Sequence, residues 1–556
     1  MKLTTAQIKD LLLTSKYVEP AKLEEAAKGA EESNRSLVDS LLFKGLVTED
    51  LVAEVLANFY KVPLANLKDI TIPREIVSLL PEDIARRYQM LPFELHGRLL
   101  KLAMTDPSDL EAKQVAIGAT KKDIVPCFIL PQVLERYLSL YIYNAENEFR
   151  AIVEQLNKGG VSEKETSVQD DQVIRLLDTV LAYGVSMAAS DVHIELAENE
   201  SLVRFRIDGI LNDIARFPQR VHSAIVARIK ILADLKLDEH RLPQDGRFKF
   251  DFSGSTVALR VSIIPAFYGE HVVMRILSES SRPLNFSELG LSGSNLQTLE
   301  RNIDKPHGMI LVTGPTGSGK TTTLYSVINY VNKSTLKICT LEDPIEYSIP
   351  RVTQSQISQT VGLTFASGLR ALLRHDPNII MVGEIRDEET VEMAIHSSLT
   401  GHLVLSTLHT NDAVGAIPRL LDMGAEPFLL ASTMSAVIAQ RLVRRICASC
   451  IVRTTLPEDT QEYLKTQFAI ATDKAQFYHG KGCPACHGNG YKGRIGIFEV
   501  IEITPDLQKL ILAKSAAHEL GATAGKAGFK TMFADGVEKA SAGLTTIEEV
   551  LRAIKE

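Results

Sequence analysis

Short apolar runs closed by a glycine, an acid or a histidine recur through the second half of this 556-residue chain. Met309-Ile310-Leu311-Val312 runs into a glycine-rich stretch, and Lys337-Ile338-Cys339-Thr340-Leu341 ends at Glu342-Asp343-Pro344-Ile345-Glu346. Asn378-Ile379-Ile380-Met381-Val382 ends at Gly383-Glu384, and Leu403-Val404-Leu405 lies between His402 and His409. Runs of this length bounded by turn residues predict buried strands, and the unbroken stretch from Lys320 onward predicts a helix. The pattern before residue 280 is different. It predicts a helix over 173–187, a strand over 190–195, and two strands, 202–207 and 209–214, joined at Asp208-Gly209, a strong hairpin signal. A helix over 221–235 and strands over 247–252, 257–264 and 270–277 follow. Arginines recur on these strands, among them Arg204, Arg206, Arg260 and Arg275, with Arg241 and Arg247 nearby. Most read as a solvated strand face; one or two could reach a nucleotide held by another domain.

Residues 1–67 read as helices, with a faint echo between Val18–Leu23 and Leu46–Leu51. Residues 68–145 are punctuated by Pro73, Pro81, Pro92, Pro107, Pro126 and Pro131. They predict a small α/β domain with strands over 99–104 and 123–129 and helices over 82–88, 108–117 and 131–141. Nothing in it has catalytic spacing, so its expected role is interaction. The polar, small-residue stretch 157–167 reads as a linker, and 278–294 as a second hinge. The predicted divisions are 1–150, a linker over 151–171, a middle α/β domain over 172–280, and a nucleotide domain over 281–556.

The chemistry centres on Gly314-Pro315-Thr316-Gly317-Ser318-Gly319-Lys320-Thr321, with Thr322 next. This is G-x-x-x-x-G-K-[ST] between a predicted strand and a predicted helix, the context of a phosphate-binding loop. Glycines let consecutive N–H groups turn inward, and the helix adds the positive end of its dipole. Lys320 can reach the β- and γ-phosphates of ATP, and the Thr321 hydroxyl can ligate Mg²⁺. Carboxylates at the carboxyl ends of parallel strands sit where α/β sheets bind ligands. Glu342 and Glu346 are therefore candidates for the Mg²⁺–water shell. Glu384 is the candidate to polarise attacking water, although Gly383 stands where a Walker B strand usually has Asp. His402 and His409 are candidate γ-phosphate sensors.

Of six cysteines, Cys127 and Cys339 stand alone in apolar surroundings and read as core residues. The others form Cys447-x-x-Cys450 and Cys483-x-x-Cys486, two knuckles that suit tetrahedral Zn²⁺. Their spacer, 451–482, exceeds the usual length of about 15–20 residues but can form an excursion. Cys483-Pro484-Ala485-Cys486-His487 also matches c-type haem attachment, which would need export and leave the first pair unexplained; a thioredoxin-like redox pair lacks its βαβ context. The net charge is −8 and no basic, aromatic DNA-binding stretch is present, which disfavours a nucleic-acid motor. No apolar run reaches about 18 residues and no signal-peptide h-region opens the chain, so the expected location is cytoplasmic, with membrane contact through a partner.

Together these motifs resemble the secretion ATPase superfamily, in its branch of type IV pilus assembly and type II secretion motors. Gly314–Thr321 matches its Walker A box, Leu341–Tyr347 its Asp box, Val382–Asp387 its atypical Walker B and Gly401–Asp412 its His box. Ala189–Glu195 and Arg204–Gly209 look like the domain before the motor, and the four cysteines match the zinc element, here 447–486. The resemblance implies a RecA-like P-loop core preceded by a small PAS-like α/β domain and a helical plus α/β amino-terminal interaction domain. It implies a homo-hexamer at the cytoplasmic face of an inner-membrane platform protein, driven by ATP and Mg²⁺. Lys320 would bind phosphate, Glu384 would be the catalytic acid, and Arg206 and Arg260 would reach the nucleotide from the middle domain. Some members bind cyclic di-GMP through an Arg-Leu-Gly stretch and a downstream Gln; this chain has Arg35-Ser36-Leu37 and Phe59 near those places. A type II secretion motor is the alternative within the class. A retraction motor is shorter and lacks the cysteines. A non-catalytic, nucleotide-gated adaptor is the alternative outside it, against which the intact Lys320, Thr321 and Glu384 argue.

Overall fold

The computed structural model describes residues 46–67, 72–131, 151–154, 170–252, 255–277, 284–358, 361–468 and 476–555, with scattered positions over 7–41 and 133–149. The linker expected over 157–167, the first part of the 278–294 hinge, and Arg35-Ser36 lie outside the described residues. The chain divides into two compact units, Met1–Ser280 with Gly482–Asn489, and Ser281–Lys481 with Gly490–Glu556.

In the first unit the helix Glu49–Tyr60 starts at Thr48, whose hydroxyl accepts from the Leu51 N–H. This satisfies one of the N–H groups left over at a helix start. Its last residue, Tyr60, stacks on Phe128 at 5.5 Å. Phe128 closes β3 (Asp123–Phe128) of a three-stranded sheet ordered β1–β2–β3, with β1 Met90–His96 and β2 Leu99–Met104. Strand β1 went unread in the sequence because Pro92 interrupts it; the register shifts between Pro92 and Glu94, and that irregularity accommodates the proline.

The second sheet of this unit has six antiparallel strands in the order β6–β5–β4–β9–β8–β7. They are β4 (Asp191–Leu196), β5 (Glu200–Ile207), β6 (Ile210–Pro218), β7 (Gln244–Phe252), β8 (Ser255–Pro265) and β9 (Glu270–Leu277). The β5–β6 hairpin turns at Asp208 (φ 48°) and Gly209 (φ 88°), the pair of positive φ values a type I′ turn requires. One sheet face buries Val192, Ile194, Val203, Phe205, Val261, Val272 and Met274 in a common core with the helices Asp170–Ser186 and Gln219–Leu232.

The second unit is built on a seven-stranded sheet ordered β12–β11–β13–β14–β10–β15–β18. Its strands are β10 (Gly308–Thr313), β11 (Ile338–Glu342), β12 (Val352–Gln356), β13 (Ile379–Val382), β14 (Leu403–Leu408), β15 (Met434–Ile446) and β18 (Tyr491–Glu502). All neighbours are parallel except β15 and β18. Every residue of β10, β11, β13 and β14 is buried, as continuous apolar runs covered on both faces require. A separate ribbon pairs β16 (Ile451–Thr454) with β17 (Phe477–Gly480) in the spacer between the cysteine pairs. Cys127 and Cys339 are buried as expected, and burial pushes the Cys127 thiol up to about 11.

The last helix, Ile547–Lys555, is pinned to β15 through Glu549, whose side chain is 3% exposed. Its carboxylate meets Arg444 Nη2 at 2.7 Å and Arg552 Nη2 at 2.9 Å, and accepts the Arg444 N–H at 3.0 Å. Burial alone would raise its pKa; the hydrogen bonds from Arg444 and Arg552 outweigh burial and hold it at about 2. A depressed folded-state value contributes stability above the unfolded value and loses it as pH falls toward the folded one. Glu549→Gln is thus expected to destabilise the protein by about 3 kcal/mol at pH 7. In urea unfolding, the gap between wild type and variant should shrink steadily from pH 5 to pH 3.

Candidate functional site

Because β10, β11, β13 and β14 run parallel, their carboxyl ends form one edge of the sheet. The register sets Thr313 opposite Leu408, Leu341 opposite Val382, and Val382 opposite Ser406. The residues that follow these strands therefore meet: the loop from Gly314, the acids from Glu342, Gly383-Glu384, and His409.

The loop 314–319 turns through positive φ at Gly314 (146°), Gly317 (81°) and Gly319 (88°) and delivers the helix Lys320–Val331. A Cβ on Gly314 would lie 2.7 Å from Ser318 Oγ, so only glycine closes the cradle there. Gly319 is the helix N-cap and offers no side-chain acceptor, which leaves the first N–H groups of the helix available to an anion. Ser318 Oγ is buried and has no hydrogen-bond partner. Lys320 Nζ spans the loop, donating to Gly314 O at 2.8 Å and Pro315 O at 3.0 Å. Burial pulls its pKa down, and Glu384 opposes that shift. Uncapped N–H groups, a free buried hydroxyl and a lysine in one loop fit a polyphosphate. Pro315 and Thr316 complete the loop, and Thr321 and Thr322 are exposed in the first helical turn.

Glu384 is 13% exposed. Its Oε1 meets Arg386 Nη2 at 2.5 Å and its Oε2 lies 3.6 Å from His409 Nε2. Burial lowers the pKa of His409, Lys320 adds to this, and Glu384 pulls the other way. The net effect favours the neutral imidazole. The segment after His409 is tied to β10: Thr313 Oγ1 donates to Thr410 O at 2.8 Å and accepts the Thr410 N–H at 3.1 Å. Gly383 has a physical reason. A Cβ there would stand 3.1 Å from Leu341 O and 3.5 Å from Glu342 Cα, so the aspartate usual at this place would crowd β11.

Three expected site residues lie differently. His402 precedes β14, and the pairing of Gly308 with Leu403 places it at the opposite end of the sheet from the loop, roughly 20 Å away along a six-residue strand. Its Nδ1 lies 2.8 Å from Ser397 O, closing the end of the preceding helix. It is not at the phosphate end in this chain. Glu342 is 2% exposed and both oxygens are occupied. Thr340 Oγ1 and Gln354 Nε2 donate to Oε1 at 2.6 and 3.1 Å, and Tyr325 OH donates to Oε2. Glu346 is exposed, and its backbone N–H donates to the same Tyr325 oxygen at 3.3 Å.

Tyr325, in the phosphate-loop helix, was not singled out in the sequence, nor were Gln354 and Arg386. Burial and the Glu342 carboxylate both raise the Tyr325 pKa, so its hydroxyl stays a donor. Tyr325→Phe leaves a buried carboxylate oxygen short of its donor. The expected cost is about 1–3 kcal/mol, read as a lower urea midpoint with unchanged slope.

In the first unit one cross-strand row runs Arg206–Asp191–Arg275–Arg260–Arg247 over five strands. Residues directly opposite in a ladder share a sheet face. Asp191, 7% exposed, lies 2.9 Å from Arg275 Nε and 3.6 Å from Arg206 Nε. Two arginines, Arg206 and Arg275, thus share one aspartate, and Arg260 and Arg247 continue the row on the next two strands. Arg206 and Arg260, the arginines expected to reach nucleotide, lie in this row, and Arg275 and Arg247 join them through the register.

The four sulfurs of Cys447, Cys450, Cys483 and Cys486 lie within 4.8 Å of one another, and Cys483 and Cys486 are 3.7 Å apart. Tetrahedral zinc with Zn–S bonds of about 2.3 Å needs sulfurs roughly 3.8 Å apart. Cys486 Sγ also accepts the Cys483 N–H at 3.2 Å. The donor set fits zinc, and it absorbs the C-x-x-C-H motif into a four-sulfur cluster.

The family profile described as "Type II/IV secretion system protein" matches residues 166–552. This chain belongs to that family. A second profile, the MshEN domain, matches residues 60–148. The type IV pilus assembly ATPase PilB of Myxococcus xanthus is 36% identical over 562 residues, covering 98% of each chain. Type II secretion system protein E of Pectobacterium carotovorum is 40% identical over 500 residues, covering 87% of this chain and 98% of its own. Among solved structures, the Legionella pneumophila ATPase DotB superposes with a TM-score of 0.50 at 22% identity, covering 68% of this chain and 95% of its own, a likeness of fold. The secretion-family chain is an ATP-hydrolysing enzyme. Among its described residues no helix is long and apolar enough to cross a membrane.

Proposed function

We propose that this protein is the assembly motor of a type IV pilus. It works as a homo-hexamer at the cytoplasmic face of the inner membrane and hydrolyses ATP to add pilin subunits through a platform protein. The observation that carries this reading is the full-length match to a pilus assembly ATPase, amino-terminal region included. A type II secretion motor is the second reading, favoured by the higher identity over the shorter match.

Within the site, Lys320 and the N–H groups of Gly317, Gly319 and Lys320 bind the β- and γ-phosphates, with Gly314, Pro315, Thr316, Ser318 and Thr322 shaping the loop. Thr321 holds Mg²⁺, which when bound neutralises charge on the phosphates. Glu384 polarises the attacking water, oriented by Arg386 and flanked by His409. Glu346 offers the exposed carboxylate for the water shell of the metal, while Glu342 acts by holding Tyr325. The arginine row, Arg206 and Arg260 included, supplies positive charge toward nucleotide in the assembled ring. Cys447, Cys450, Cys483 and Cys486 hold structural Zn²⁺.

Deletion of the gene in its host separates the machines. Loss of surface pili with normal protein secretion, restored by the intact gene but not by Lys320→Ala, supports the assembly motor. Retained pili with loss of secreted proteins would move the protein to the second reading.

A further inference from the structure

Strand β15 carries a polar side chain where its neighbours are apolar. Ala436, Val437, Ile438 and Ala439 are fully buried, and Gln440 beside them is 1% exposed. A buried amide is costly unless its hydrogen bonds are made. Here its carbonyl oxygen is satisfied from the helix that follows the phosphate loop. Gln440 Oε1 accepts from Thr323 Oγ1 at 2.6 Å, and Thr323 is itself fully buried in the first turn of the helix. The pairing of Thr313 with Ala439 sets Gln440 next to Gly314. Its backbone oxygen is 2.5 Å from where a Cβ on Gly314 would stand, and its Nε2 is 2.8 Å from the corresponding point on Gly319. One residue therefore abuts the first glycine of the loop, the last glycine and the first helical turn. The next residue, Arg441, 7% exposed, donates to Asn411 Oδ1 at 3.4 Å, so the same strand also holds the segment after His409.

We propose that Gln440 is a positioning residue for the ATP site: by accepting from Thr323 while it packs against Gly314 and Gly319, it fastens the phosphate-binding loop to β15 and so sets the affinity of the loop for nucleotide. The inference rests on reading Gly314–Thr321 as the ATP site. A loop tied only at its strand and helix would have to be ordered by the nucleotide at each binding event, which weakens apparent affinity. A tied loop is ordered beforehand.

The experiment compares wild type, Gln440→Met, Thr323→Val and the double variant, all in the full-length chain. Fluorescent ADP binding and steady-state phosphate release are measured well below the melting temperature. Gln440→Met keeps length and removes the amide; Thr323→Val is isosteric and tests the same bond should Gln440→Met fail to fold. The expected result is a rise of about tenfold in nucleotide Kd and KM for each single variant, with kcat within about threefold of wild type. The double variant should be no worse than either single, because both act through one bond. Unchanged Kd and KM with only a lower melting temperature would overturn the proposal, as would effects that multiply in the double variant. A wild type that neither binds nor hydrolyses nucleotide would instead overturn the reading of the site itself.

Discussion

Glu384→Gln is expected to lower steady-state phosphate release by about 10²–10⁴-fold while leaving ATP binding intact. The substitution keeps the shape and removes the negative charge and the basic oxygen. In the folded chain that oxygen pair faces Arg386 on one side and His409 on the other, at the same sheet edge as Lys320. Glutamine can still accept from Arg386, so local structure should hold, and phosphate affinity rests on the loop and Lys320. The variant should therefore retain nucleotide in a filter or fluorescence assay and fail to turn over. Equal turnover in variant and wild type, with both well above a no-enzyme control, would remove Glu384 from the chemistry. Loss of binding together with turnover would make it a ligand-binding residue.

Loss of the zinc proposed for the four cysteines is the second change with a large expected effect. The cysteine pairs stand in the connection that leads from β15 to β18, the one antiparallel pair of the large sheet. Cys447 N–H donates to Gly490 O at 3.0 Å, and Lys481 N–H to Cys450 O at 3.0 Å, so the knuckles also fasten the start of β18 and the end of β17. Four cysteine sulfurs this close offer a complete ligand set, and structural zinc supplies about 10–16 kcal/mol in small peptides that fold around it. Purified protein should contain one zinc per chain by mass spectrometry. Cys486→Ser should lose it and become open to proteolysis between residues 447 and 490. Protein reconstituted with zinc that still carries none, yet resists protease like the wild type, would show that the cluster needs no metal.

Features whose parts lie within a few residues of one another were legible before folding was considered. The strand, glycine loop and helix around Gly314–Thr321 are contiguous, and so are the Asp208-Gly209 hairpin and each C-x-x-C knuckle. The long apolar run ending at Gln440 carried the same signal as the strands that were read, and a lone amide inside it was a usable hint of a bonded partner. His402 misled because a histidine on either side of a core strand looks equivalent in one dimension. Once β10 and β14 are parallel, the residue before the strand and the residue after it stand at opposite edges.

By itself, the sequence determined that this is a phosphate-loop enzyme with a four-cysteine element, because backbone conformation and ligand spacing at those places are set by near neighbours. The tertiary structure decided which carboxylate faces the loop and which is occupied. Glu342 is taken up by Tyr325, Thr340 and Gln354, while Glu384 meets His409 from another strand. It also aligned four arginines from four strands in one row with Asp191 and placed Gln440 against a loop more than a hundred residues earlier. Those outcomes depend on strand order, direction and register. They are fixed by burying apolar faces across the whole sheet, a condition no local stretch of residues contains.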